Sequence, residues 1–236
     1  ILSKVFKYDL FKAKKYINKM KPYIDILSLE DIIHFKYNEQ VTLFYNGELD
    51  SSHELNKLIR ESFQNNLPVE QSRICNLMGQ YNWCKNNINL GIEYLNKAAE
   101  LQAYTNHQTY WWIADTNLAL LYYELKENVK CIQQINKIFN VYAAKSWKKI
   151  VDFFSMEDVS TNKIIYDKEI TSFLLLFAIL YRIDTDQPKA IVKEIECDNK
   201  KISKEKWFTK EYLLTELTTA IKQTSYYFKN HYMIKC

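Results

Sequence analysis

Glycine and proline are nearly missing from this chain, with three of each in 236 residues. A β-rich fold of this length needs many tight turns, and those two residues form them most readily. Their scarcity therefore predicts long helices joined by short polar links. The three glycines form no GxGxxG, P-loop or GxSxG motif. The four histidines, His34, His53, His107 and His231, lie far apart and form no HExxH. Carboxylate pairs such as Glu30-Asp31 and Glu157-Asp158 read as helix-start charges at the positive end of a dipole. The pattern predicts no catalytic residues, no metal site and no cofactor.

Cysteine is scarce as well. Cys75, Cys84, Cys131, Cys197 and Cys236 are odd in number and contain no CxxC, which fits a reducing, cytoplasmic setting better than a disulfide framework. The longest apolar stretch, Phe173 to Tyr181, is far short of the ~20 residues that span a bilayer. It reads as a buried helix, and no secretory signal or membrane partner is expected. Net charge is +4, from 32 basic and 28 acidic residues, and no basic run exceeds two. That balance does not point to nucleic acid.

Aromatic residues are abundant, with 18 Tyr, 12 Phe and 5 Trp, and an internal echo is present. Gly79, Gly91, Leu95 and Ala98 stand at relative positions 0, 12, 16 and 19; Ala119, Cys131, Ile135 and Ile138 repeat the pattern 40 residues later. Small residues at 0 and 12 let two helices approach closely, and apolar residues at 16 and 19 fill the seam. Helical hairpins of this kind stack into arrays with a binding face. The expected fold is all-α: a right-handed superhelix of about five hairpins forming one domain over residues 1–236.

Along the chain, Asp9 to Lys21 reads as a helix stopped by Pro22. Ser28 with Asp31 is a near capping box opening a helix that Asn46-Gly47 ends. Ser51 to Phe63 returns. Val69–Cys84 with Leu90–Leu101, and His107–Leu125 with Val129–Ala143, form the two clearest hairpins. A short helix at Trp147–Met156, a further hairpin from Lys168–Arg182 and Gln187–Ile195, and a terminal helix from Lys204 to Tyr227 follow. Ala13, Ile17 and Met20 also fit positions 12, 16 and 19, so position 0 falls on Ile1. The chain thus reads as a fragment lacking an N-terminal region.

These positions resemble the tetratricopeptide repeat: Gly79, Gly91, Leu95 and Ala98 in one unit, Leu118, Ala119 and Tyr122 in the next, and Leu174, Phe177, Ala178, Tyr181 and Ala190 in the last. The chain departs from that family in lacking its usual Trp and in a period of 40 where ~34 is standard. The long, divergent units, rich in Lys, Asn, Ile and Tyr, resemble the peptide-pheromone sensors of low-GC Gram-positive bacteria and their phages, the RNPP family. That resemblance implies a quorum-sensing transcription regulator whose repeat array holds a short signalling peptide on its concave face. It also implies a homodimer that touches DNA only through an N-terminal helix-turn-helix domain outside these residues.

In such a hairpin the first helix lines the groove, through positions −6, −3, 1 and 4. These are Arg73, Asn76, Gln80 and Trp83; then Ile113, Thr116, Leu120 and Tyr123; then Ser172, Leu175, Ile179 and Arg182. In the earlier unit, whose register is ambiguous by one residue, His34, Tyr37, Val41 and Phe44 are nearest. Asn76 and Gln80 both donate and accept, which suits a peptide unit. Arg73 suits a carboxylate, and Trp83, Tyr123 and Tyr37 suit apolar pockets with polar rims. The competing reading packs Trp83 and Tyr123 between helices and leaves Asn76 as a solvated surface residue. At the level of function the alternatives are a general protein–protein adaptor and a structural assembly subunit.

Overall fold

The computed structural model describes residues 10–49, 52–105 and 113–145, together with positions 176, 179, 180 and 183. Among them are seven α-helices and no strand: α1 (Leu10–Met20), α2 (Leu29–Asn46), α3 (His53–Gln64), α4 (Pro68–Cys84), α5 (Ile88–Thr105), α6 (Ile113–Glu124) and α7 (Asn128–Lys145). A 3-10 turn, Lys21–Ile26, follows α1 and holds Pro22. Proline there fixes φ and lacks a donor, so it suits a first turn rather than a helix interior.

The helix boundaries have local causes. Ser28 is the N-cap of α2, its hydroxyl accepting from the Asp31 N–H at 3.2 Å. Gly47, at φ 69°, ends that helix in the left-handed region. Asn66 (φ 51°), Asn86 (φ 61°) and Lys126 (φ 60°) occupy the same place after α3, α4 and α6. At each of the four ends the following N–H reaches back five residues: Glu48 to the Leu43 carbonyl, Leu67 to Ser62, Asn87 to Asn82 and Glu127 to Tyr122, at 2.8–2.9 Å. That is the Schellman closure, which satisfies carbonyls the helix leaves open.

The repeat is physical. The α4–α5 link and the α6–α7 link break at residues 40 apart, and α5 and α7 are both 18 residues long with ends 40 apart. Burial along Gly91–Glu100 is reproduced position by position along Cys131–Asn140. The left-handed residues that end α2, α4 and α6 stand at 47, 86 and 126. They fix the earlier unit at a spacing of 39, so Gln40, which is buried, occupies the position of Gly79.

Helices adjacent in sequence pack together, and α2 meets α4 as α4 meets α6. The first helices of three hairpins thus lie side by side, with α3, α5 and α7 as their second helices. In the α4–α5 seam, a Cβ placed on Gly79 would lie 2.6 Å from Leu95 Cγ and 3.1 Å from the Gly91 carbonyl. In the α6–α7 seam the buried Cys131 thiol donates to the Ala119 carbonyl at 3.3 Å. One core cluster runs through Ile33, Leu55, Leu58, Ile74 and Met78, and a second through Cys75, Leu95, Ala98, Leu118 and Leu121. Ile59 and Tyr94 pack against both, which makes the core continuous along the stack. The middle helix α4 is buried on most sides, whereas α3 buries one stripe, Leu55, Leu58 and Ser62.

Leu176, Ile179 and Leu180 are helical and buried, within the expected helix Lys168–Arg182. The expected start of α6 at His107, the helix Trp147–Met156, the helix Gln187–Ile195 and the terminal helix lie outside the described residues. No described helix is long and apolar enough to cross a membrane.

Candidate functional site

The face shared by α2, α4 and α6 carries buried polar side chains. Glu70, Asn76, Gln80, Thr116 and Asn117 are all less than 10% exposed there. Buried polar groups require partners, and an unmade bond costs about 1–3 kcal/mol. Most of these groups are paired, but not all.

At the α2–α4 end, Arg73 Nη1 donates to Glu70 Oε1 at 2.5 Å, and it lies 3.0 Å from His34 Nδ1. The same His34 nitrogen is 3.3 Å from Glu70 Oε2. Nδ1 accepts from Arg73 when it is bare and donates to Glu70 when it carries the proton, but not both. One arm of the Arg73 guanidinium is therefore engaged inside the chain, so an outside carboxylate at Arg73 competes with Glu70. Tyr37 stands beside this cluster, its ring centroid 6.4 Å from that of His34 and its side chain half-buried on the first core cluster.

Hydrogen bonds between described residues join α4 to α6. Asn117 Nδ2 donates to Asn76 Oδ1 at 2.8 Å, and Trp83 Nε1 donates to Glu124 Oε2 at 2.9 Å. Each spans 41 residues, one more than the repeat. Trp83 is 9% exposed, its ring belongs to the second core cluster, and its N–H serves the α4–α6 contact. Gln80 Nε2 turns back to the Asn76 carbonyl at 3.4 Å. Thr116, at the repeat position of Asn76, is 7% exposed, and its hydroxyl oxygen has no hydrogen-bond partner.

The structure thus engages Asn76 and Trp83 in contacts between α4 and α6, turns Gln80 back within α4, buries Thr116 on α6 without a hydrogen-bond partner, and sets Arg73 with Tyr37 at the α2–α4 end. Tyr123 is half-buried on α6. Arg182 lies outside the described residues. Asn76 is not a solvated surface residue, because 93% of its surface is covered and its carbonyl accepts from a neighbouring helix. Val41 and Phe44 are core residues. Glu70, Asn117 and Glu124 are participants that the sequence reading passed over. The last two stand 41 residues after Asn76 and Trp83, so a search for polar partners at the repeat spacing plus one would have found both.

The second helices contribute a further equivalence. Asp115 on α6 accepts from Gln134 and from Lys137 Nζ, the latter at 2.9 Å. The equivalent places in the preceding unit hold Cys75, Tyr94 and Lys97. Burial pushes the Cys75 thiol up to about 11, against a smaller opposing pull from Lys97, and burial pushes the Cys131 thiol up to about 12. Both are inert packing groups at neutral pH. Among the described residues no group of His, Cys, Asp and Glu is arranged to hold a metal.

No family model matches the chain, and no curated protein or solved structure matches it.

Proposed function

We propose that the chain is a helical-repeat binding module that holds an extended peptide along the face built from α2, α4 and α6. The observation that carries this reading is the polar pair at matching repeat positions on that face, Asn76 on α4 and Thr116 on α6, with the buried Thr116 hydroxyl unpartnered. Asn76 uses its oxygen on Asn117, and its amide nitrogen is a donor. Once the α4–α6 contact parts to admit a guest, a donor at Asn76 and an acceptor at Thr116 match the C=O and N–H of its backbone, whatever side chains it carries. Continued as a right-handed superhelix, the side-by-side first helices give this face the concave side. The resemblance to RNPP sensors adds the context of a bacterial or phage transcription regulator reading a signalling peptide in the cytoplasm as a homodimer.

The test is calorimetric titration of hydrophobic heptapeptides, selected from a display library, against wild type, Asn76→Ala and Thr116→Val, with thermal unfolding of each variant as the fold control. A selected peptide should lose about tenfold in affinity on either substitution, as expected for one hydrogen bond of about 1.4 kcal/mol. Failure to select any peptide, or equal affinity in all three proteins, would remove the groove reading.

A protein–protein adaptor is the second reading. It is favoured by Phe63, Tyr104 and Val129, which are 70–88% exposed and all stand on second helices. Binding abolished by Phe63→Ser and Val129→Ser, with Asn76→Ala silent, would select it.

A further inference from the structure

The charged cluster at the α2–α4 end has two hydrogen-bond arrangements that differ by one proton. With His34 Nδ1 bare, Arg73 Nη1 donates to it at 3.0 Å and to Glu70 Oε1 at 2.5 Å. Both N–H groups of that nitrogen are then spent inside the chain. The imidazolium instead donates from Nδ1 to Glu70 Oε2, which stands 3.3 Å away. Arg73 then loses an acceptor, and the cluster gains one positive charge.

Exposure divides the roles. The Glu70 side chain is 4% exposed, and a buried carboxylate needs a partner. Arg73 and His34 are 26% and 45% exposed and reach solvent. An outside carboxylate that draws Arg73 away strands Glu70, unless a protonated His34 has taken its place. From α4, Glu70 and Arg73 face the imidazole. From the α1 side, Lys14 and Lys21 are paired with Glu48 and Glu39. Helix α3 meets the core of α2 through Leu55 and Leu58. On α2 itself Asp31 is bonded to Ser28, and Glu30 is exposed.

The repeat does not carry this cluster onward. His34, Arg73 and Ile113 share one repeat position, and the sequence has Tyr110 one repeat after Glu70. Helix α6 therefore stacks on α4 without these charges, and the cluster marks one end of the polar face.

We propose that it is a proton-gated seat for a carboxylate of the guest peptide. Arg73 turns to the guest as the His34 imidazolium takes over Glu70. The guest then lies with its anionic group at the α2–α4 end. Its affinity rises as pH falls through the range where histidine charges, and binding takes up a proton. The inference rests on the groove reading of the preceding subsection, and adds the guest's charge and a proton link to it.

The probe is a selected hydrophobic heptapeptide, N-acetylated, in three forms: with a C-terminal carboxyl as its one acidic group, with a C-terminal amide, and with the amide plus one internal Glu. Carboxylates of these kinds stay ionised at pH 5.5 and 7.5. Calorimetry on the full chain should show an anionic form binding about fivefold tighter at pH 5.5, and the plain amide unchanged. Whichever anionic form responds names the source of the carboxylate. At pH 6.5, heats in phosphate and imidazole buffers should differ by the proton taken up. His34→Asn, which keeps a hydrogen-bonding group near the place of Nδ1, should flatten the pH profile. Arg73→Gln should weaken the anionic form about fivefold at pH 5.5 and spare the amide. Thermal unfolding at both pH values checks the fold of each variant. Three forms that bind alike, or a pH slope that survives in His34→Asn, would overturn the inference and leave the groove reading standing. No binding by any form would remove both.

Discussion

Replacing Gly79 by alanine puts two known effects in opposition. Alanine is the better helix former by about 1 kcal/mol, so in an open helix the change stabilises. In the α4–α5 seam the new Cβ meets Leu95 Cγ at 2.6 Å, Leu95 Cδ2 at 2.8 Å and the Gly91 carbonyl at 3.1 Å. Leu95 is 0% exposed, and the carbonyl belongs to the backbone of α5. Overpacking of this kind costs about 1–3 kcal/mol. The seam outweighs propensity, and the net loss is up to about 2 kcal/mol. For a chain of this size that lowers the thermal midpoint by up to about 8 °C. Urea unfolding of Gly79→Ala, Leu95→Ala and the double variant measures the interaction directly. Leu95→Ala alone removes a buried side chain and costs about 2–5 kcal/mol. In the double variant the alanine at 79 finds room, so the losses should fall short of additivity by about 1 kcal/mol or more. A Gly79→Ala protein more stable than wild type would refute the reasoning, for it would mean that the two helices do not touch there.

Three further outcomes follow. Lys126 holds φ at 60°, a conformation costing a side chain about 1 kcal/mol, so Lys126→Gly should stabilise the chain by roughly 0.5–1 kcal/mol in urea unfolding. Asn117→Leu installs the residue found at the equivalent Leu77 and strands the Asn76 carbonyl; it should cost about 1–3 kcal/mol, less once Asn76 is also replaced by leucine. Burial raises the Cys75 and Cys131 thiols from the ordinary 9.0 to about 11 and about 12. Below pH 9 both states keep these protons and stability is unaffected. Above it the unfolded chain releases them first, so stability falls as pH rises toward 11–12. Urea midpoints at pH 8 and 10.5 should diverge, and less so in Cys131→Ala.

The seam positions were legible in the sequence because volume is written in it. Gly79 and Gly91, then Ala119 and Cys131, are small where two backbones or a backbone and a thiol meet. The Ser28 cap and the Gly47 stop were legible for the same reason, since each has a residue type suited to its geometry. The register of the first unit was not, because Gln40 fills its small position and only the left-handed residue at 47 aligns it. Lys126 gave no sign of its positive φ, since lysine has no preference for that region. The polar links Asn76–Asn117 and Trp83–Glu124 join residues of different hairpins, 41 apart, so only a comparison across repeats reaches them. No local pattern encodes them. Asn76 therefore read as either groove or surface, and its near-complete enclosure between α4 and α6 emerged only in three dimensions.

The two links between α4 and α6 are anchored at residues 76 and 83, seven residues or about 10 Å apart along the helix. Two fasteners at that separation stop a neighbouring rod from sliding and also from swivelling, whereas one stops only the slide. A molecule that captures the Asn76 end would leave Trp83 as a pivot, and the angle between consecutive hairpins would become free to change.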